Sequence, residues 1–206
     1  MVGAESAFAA VLKEHAAGGT DGVVGGDSDK ARVVITTVEG RAVLNLRTVP
    51  QPAPGLFASA LGFELPTTAG RSGVAADRPV HALWTGPGDW LITCADADRP
   101  SLETRLRATL DGMTGALTDV SHGSAVLNLS GPAAVDVLAQ GCGIDLDPAV
   151  FTDGACAMTA LARMRVVIHR LPSGGGYDVY VARSVAENLW HFVTVAAMEY
   201  GYRVEG

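Results

Sequence analysis

The chain is short of positive charge: 15 lysines and arginines face 22 aspartates and glutamates, for a net charge of −7. Nucleic acid is held mainly by clustered cations on phosphates, so this balance argues against a DNA- or RNA-binding role. Cysteine is scarce too. Cys94, Cys142 and Cys156 are odd in number, far apart and never arranged C-x-x-C, which suits neither a disulfide framework nor a zinc site. They read as small buried hydrophobes. No apolar run approaches the roughly 18 to 20 residues that cross a bilayer. The opening "MVGAESAFAAVLKEHAAGG" has neither the basic region nor the apolar core of an export signal, so the expectation is a cytoplasmic protein with no membrane partner. The five histidines form no H-x-x-x-H pair, and no metal site is expected. "SGGGY" lacks the G-K-[ST] ending of a phosphate loop, and no G-x-G-x-x-G follows a strand, so no nucleotide site is expected either.

What is present is apolar substance. Of 206 residues, 48% are hydrophobic and only 18% charged, enough to bury about 70% of the unfolded surface. A mean hydropathy of +0.24 suggests that part of the surface is covered by a partner.

Along the chain, Phe8, Val11 and Leu12 have helical spacing, and "GGTDGVVGGDSD" at 18–29 should interrupt the helix as a loop or mobile linker. Residues 1–30 are therefore expected as an N-terminal helix plus flexible segment, and 31–206 as one domain. "ARVVITTV" and "RAVLNLR" flank Glu39-Gly40, a hairpin signal. A short helix is expected at 55–62, and two strands around Gly86-Pro87-Gly88. A helix should start at Ser101 as cap, carry Leu102, Leu106 and Leu110 on one stripe, pair Glu103 with Arg107, and stop at Gly112. "SAVLNL" should be a strand, followed by Gly131 and a helix with Pro132 first. "DPAVF" reads as another short helix. Strands at 163–171 and 177–182 are joined by "PSGGGY", and a last helix opens with the capping box of Ser184 and Glu187. Hairpins mixed with helices favour an α+β class over a doubly wound sheet. The recurrence of Gly-Pro at 86 and 131 hints faintly at a duplication.

Three residues carry the names of a hydrolytic triad, Asp119, Ser121 and His122. Ser and His are neighbours, which in extended chain point to opposite faces, so hydrogen bonding within a turn is the better account. Arg163, Arg165 and His169 fall on one face of a strand, with Met164, Val166 and Ile168 on the other. In an acidic protein, this is either a solvated face or a docking surface for an acidic partner.

The stretches "DVSHGSAVLNLSGPAAVDVLAQGCGIDL", "FTDGACAMTALARMRVVIHRL" and "GGGYDVYVARSVAENLWHF", with "LGFELP" and "TGPGDWLI", resemble the gamma subunit family of heterotetrameric sarcosine oxidase. The same region is similar to the aminomethyltransferase of the glycine cleavage system. That resemblance implies a folate-binding-domain-like, mixed and mainly antiparallel sheet with packed helices. The aminomethyltransferases carry an acidic Asp-Asp-Leu just before an apolar strand, and one carboxylate serves their folate chemistry; the equivalent slots here hold Met164 and Arg165. A thioether and a guanidinium cannot accept a proton as a carboxylate does. The resemblance thus implies a non-catalytic accessory subunit, with no catalytic, cofactor-binding or metal residue of its own. FAD, FMN, NAD and tetrahydrofolate would sit on partner subunits, named alpha, beta and delta, of an oxidoreductase that demethylates sarcosine to glycine. Candidate interface residues are Arg163, Arg165, His169 and Trp190, although Trp190 can equally complete the core. The rival is a free-standing folate-binding or folate-dependent aminomethyltransferase-like protein in which Asp119 or Asp178 replaces the missing acid.

Overall fold

The computed structural model describes residues 6–17, 22–26 and 30–205. In chain order these form α1 (Ala9–Ala17), β1 (Val33–Thr37), β2 (Arg41–Thr48), α2 (Ala58–Leu61), β3 (Ser72–Val74) and β4 (His81–Gly86). There follow β5 (Asp89–Ala95), α3 (Arg99–Leu110), β6 (Gly115–Asp119), β7 (Ser124–Ser130) and α4 (Ala134–Ala139). The chain continues through β8 (Cys156–Leu161), β9 (Met164–Arg170), β10 (Tyr177–Ala182), α5 (Ala186–Ala197) and β11 (Tyr202–Glu205). Two sheets mix with helices in the α+β manner, and every strand pair given residue by residue is antiparallel except β1 with β11. Among the described residues no helix is long and apolar enough to cross a membrane.

The chain divides into two compact units. One holds the residues up to Glu39 together with Gly123–Asp153 and Met158 onward; the other holds Gly40–His122 and Gly154–Ala157. The N-terminal helix belongs to the first unit: Phe8, just before α1, is buried, and its ring centroid lies 6.3 Å from that of Trp190. Within 18–29, residues 18–21 and 27–29 lie outside the described residues. Between them, Val24 exchanges two backbone hydrogen bonds with Tyr202, at 2.8 and 2.9 Å.

The five-stranded sheet has the order β3-β4-β5-β2-β6, and the six-stranded sheet the order β8-β9-β10-β7-β1-β11. These are one arrangement used twice. The run β2-α2-β3-β4-β5-α3-β6 repeats as β7-α4-β8-β9-β10-α5-β11, with β1 inserted between β7 and β11. The repeat is written in the residues: Ala42–Leu46 and Ala125–Leu129 are both Ala-Val-Leu-Asn-Leu, with the same alternation of buried and half-buried positions. The Gly-Pro recurrence does not mark it, since Gly86-Pro87 lies in the β4–β5 hairpin turn and Gly131-Pro132 between a strand and a helix.

Several local expectations give way to longer-range pairing. Glu39-Gly40 is not a hairpin, because β1 pairs with β7 and β11 while β2 pairs with β5 and β6 in the other sheet. Helix α3 begins at Arg99, with Pro100 in its first turn, so Ser101 lies inside it and its hydroxyl accepts from Arg105 Nη1. A 3₁₀ turn at Arg183–Val185 precedes α5, and no side chain caps that helix, so the Ser184–Glu187 box does not form. "DPAVF" is a turn in which Asp147 Oδ1 accepts the amide of Ala149. Gly131 has φ 98°, and a Cβ there would lie 2.5 Å from the Arg32 carbonyl oxygen, so only glycine fits that bend.

In the five-stranded unit, Leu44, Leu46, Phe57, Leu61, Trp90, Ile92, Leu102 and Leu106 form one buried cluster. Trp90 keeps its indole N–H satisfied by donating to the Pro66 carbonyl at 2.7 Å. In the six-stranded unit Leu127, Leu129, Ile168, Val179, Leu189 and Val193 are all buried, and α5 touches α4 and β10.

Candidate partner interface

The hydrolytic names do not meet as a triad. Ser121 donates both its amide and its hydroxyl to Asp119 Oδ1, while its Oγ accepts the amide of Val43 at 2.9 Å. His122 is exposed. This is a turn closing on itself, as the adjacency of Ser and His implies. Asp119 is further held by Arg99 Nη1 at 2.7 Å. Burial works against its charged form, but the hydrogen bonds from Ser121 and the Arg99 guanidinium outweigh burial and hold the carboxyl below its usual range. A carboxylate so engaged is a poor proton acceptor. Asp178, the other substitute acid, is 1% exposed and accepts from Asn128 Nδ2 at 2.8 Å and from the Tyr180 hydroxyl at 3.4 Å.

The thiols are as quiet. Cys94 and Cys156 are buried and Cys142 is half-buried, all three free. Burial pushes Cys94 to about 11, with Asp98 and Asp96 adding to the effect. Burial likewise raises Cys156 to about 11, and its sulfur lies 3.1 Å from the Arg71 carbonyl oxygen. Neither is a thiolate at neutral pH. Among the described residues, no three His, Cys, Asp or Glu side chains could hold a metal ion.

The four interface candidates separate into two kinds. Arg163 and Arg165 are exposed, whereas His169 is 1% and Trp190 6% exposed. His169 lies opposite Asp178 across β9 and β10. Trp190 packs beside Phe8 and meets His15 edge-on at 5.9 Å, so it completes the core of its unit. Nor is Arg163 on a strand: with Ala162 it forms the two-residue turn joining β8 to β9, at φ 47° for Ala162 and 69° for Arg163. Positive φ at both central residues is the signature of a type I′ hairpin, which ordinarily calls for Asn-Gly. The Ala162 amide is tied to the Gly141 carbonyl at 2.9 Å. Arg165 Nη2 points at the thioether of Met158 at 2.9 Å, a weak acceptor, and has no carboxylate partner among the described residues.

Beside this turn runs a groove of about 600 Å³, between α5, the end of α4 and the β8–β9 turn. Met164, Phe192, Val195 and Ala196 give it apolar walls, and Glu187 and His191 stand on its helix side. The Phe192 ring lies on bare backbone at Gly141, where a Cβ would come within 2.6 Å of it. Phe192 belongs to the apolar arc of α5 with Leu189, Val193 and Ala196, but unlike them it is only half-buried. The available signal was the breadth of that arc: Val195 is 54% and Met198 51% exposed, so apolar residues continue around the helix past the stripe facing the sheet.

The fold is aminomethyltransferase-like. The glycine cleavage system aminomethyltransferase T from Bartonella henselae superposes with a TM-score of 0.66 at 13% identity, over 86% of this chain and 48% of that one, a likeness of fold alone. Within that class the chain belongs to the sarcosine oxidase gamma subunit family, whose model matches residues 50–199. The sarcosine oxidase subunit gamma of Arthrobacter sp is 32% identical over 176 residues, 84% of each chain. A chain of the heterotetrameric sarcosine oxidase from Corynebacterium sp. U-96, a structure in complex with pyrrole 2-carboxylate, matches with a TM-score of 0.80 at 28% identity over 95% of both chains.

Proposed function

We propose that this chain is the accessory subunit of a heterotetrameric sarcosine oxidase, an oxidoreductase that demethylates sarcosine to glycine, and that it supplies no catalytic, cofactor-binding or metal residue of its own. Its partners are the alpha, beta and delta subunits, which carry FAD, FMN, NAD and tetrahydrofolate, and the complex works in the cytoplasm. Residues 31–206 of the chain are its single aminomethyltransferase-like domain.

The observation that carries this reading is the likeness, over 95% of both chains, to a chain of a heterotetrameric sarcosine oxidase. The chemistry agrees with it. Where the aminomethyltransferases hold an acid, this chain has Met164, which is buried, and Arg165. Its nearest substitute acids, Asp119 and Asp178, are spent on hydrogen bonds within their own units.

The test is subtraction. Omitting this chain from co-expression of the four subunits should lower the yield of active complex. The chain alone, titrated with tetrahydrofolate and sarcosine, should show no turnover. Turnover by the isolated chain would refute the reading, as would a fully active assembly of the other three subunits.

A further inference from the structure

We propose that the proline-rich loop between β2 and α2 is a preformed docking arm, which inserts into an uncharged groove on a partner subunit lined by aromatic rings. The proposal deepens the subunit reading and rests on it.

The first argument comes from the repeated arrangement. The second copy joins β7 to α4 through residues 131–133 alone, whereas the first joins the matching β2 to α2 through residues 49–57. The short link shows that this connection closes without the extra residues. Both ends of the long one are fixed: the Val49 amide donates to the Thr114 carbonyl at 2.9 Å, and Phe57 is 2% exposed in the core of its unit. What lies between is turned outward.

The second argument is conformation. "VPQPAPGL" sets prolines at 50, 52 and 54. Each ring fixes its own φ at about −65°, and Pro52 and Pro54 also force Gln51 and Ala53, the residues before them, into extended backbone. Residues 50–54 are thereby held to the polyproline II form. The segment ends in a type II turn over residues 53–56, with Pro54 second, Gly55 third at φ 77°, and the Leu56 amide donating to the Ala53 carbonyl at 3.3 Å. Among the described residues none gives Pro50, Gln51 or Pro52 a backbone hydrogen bond, so their carbonyls stand open to donors from outside.

The third argument is surface chemistry. Val49 is 71% and Leu56 41% exposed, and Pro50, Ala53 and Pro54 are exposed with them. Residues 48–63 carry no charge at all. Such a segment offers nothing to an ionic partner. A stiff, ridged chain of prolines with open carbonyls fits between aromatic rings, where Trp N–H and Tyr O–H groups can donate to those carbonyls. Because the prolines have already ordered the loop, docking loses little conformational freedom.

Two measurements on the co-expressed subunits test this. In the first, p-benzoylphenylalanine replaces Leu56, the assembled complex is irradiated, and the adduct is mapped by mass spectrometry. The expected adduct joins a partner subunit at a peptide carrying Trp, Tyr or Phe. An adduct to a second copy of this chain, an adduct to a partner peptide without an aromatic residue, or no adduct in an assembled complex overturns the proposal.

In the second, tagged wild-type and variant chains compete for limiting amounts of the partner subunits. The soluble amount of each is measured in the same lysate, so that a folding defect appears as loss of chain and not as exclusion. V49D/L56D should be incorporated roughly tenfold less than wild type while remaining equally soluble. P52G keeps the apolar side chains but loosens the backbone, and should be incorporated about threefold less. V150D makes the same change at a 65% exposed valine of the other unit and should compete evenly. Even competition by V49D/L56D or by P52G overturns the proposal, and so does exclusion of V150D to the same extent as V49D/L56D. If the wild-type chain joins no complex at all, the subunit reading fails and this proposal falls with it, a result distinct from every result among the variants.

Discussion

Helices α3 and α5 occupy the same place in the repeated arrangement, each following the third strand of its hairpin pair, yet they treat water in opposite ways. Helix α3, "RPSLETRLRATL", buries Leu102 and Leu106 and turns arginines, a glutamate and threonines outward, with Arg107 held to Glu103 one turn away. Helix α5, "AENLWHFVTVAA", buries six residues and still leaves Val195 in solvent. One helix is a finished surface. The other covers its sheet and has apolar area to spare, as expected of an element that meets a second protein. The two copies thus share a topology, while the outer face of α3 is polar and that of α5 leaves Val195 exposed.

The deepest break in this comparison is in the cores. Trp90→Ala, which empties the centre of the five-stranded unit and orphans the Pro66 carbonyl, should cost about 3–5 kcal/mol in denaturant unfolding. Leu44→Ala and Leu127→Ala remove the same residue from the two copies of Ala-Val-Leu-Asn-Leu, both at 0% exposure. Each should cost about 2–5 kcal/mol, and near-equal losses would show that the repeated strands bear similar weight.

Smaller in size is the Arg99–Asp119 link that ties α3 to β6. Asp119→Asn should cost about 1–2 kcal/mol at neutral pH. Because the folded carboxyl titrates below its unfolded value of about 3.9, this stabilisation is fully present above about pH 4 and is lost as pH falls through the lower, folded value. Urea melts of the two proteins should therefore converge at strongly acidic pH; a gap that widened on acidification would contradict the assignment. Least of all, Arg107→Gln on α3 and Val195→Gln on α5 should each change thermal stability by no more than about 0.5 kcal/mol.

Much of this was legible in the residues, and what was not has a common cause. The β4–β5 and β9–β10 pairs were visible because their turn residues sit between alternating runs, and the Leu102/Leu106 stripe because a helix carries its own period. Gly40 does adopt positive φ, but the same signal serves a hairpin and a crossing between sheets; the partners of β1 lie at β7 and β11, far along the chain. Trp190 and His169 looked available because burial of a helix or strand face depends on what packs against it, and Phe8 is distant in sequence from Trp190. The duplication was present as a repeated pentapeptide, but a search guided by Gly-Pro passed over it. Of the interface candidates, Arg163 and Arg165 were singled out by charge alone; the strained turn that holds Arg163 and the groove lined by Ala162 and Met164 become visible only when α4, α5 and the β8–β9 hairpin are brought together.

The central claim is that this chain works as one member of a larger assembly. Native mass spectrometry of the four co-expressed subunits tests it most directly. The account predicts one copy of this chain in a complex with one copy of each of the other three. A spectrum in which the other three assemble alone, with this chain running as a free species, would contradict it.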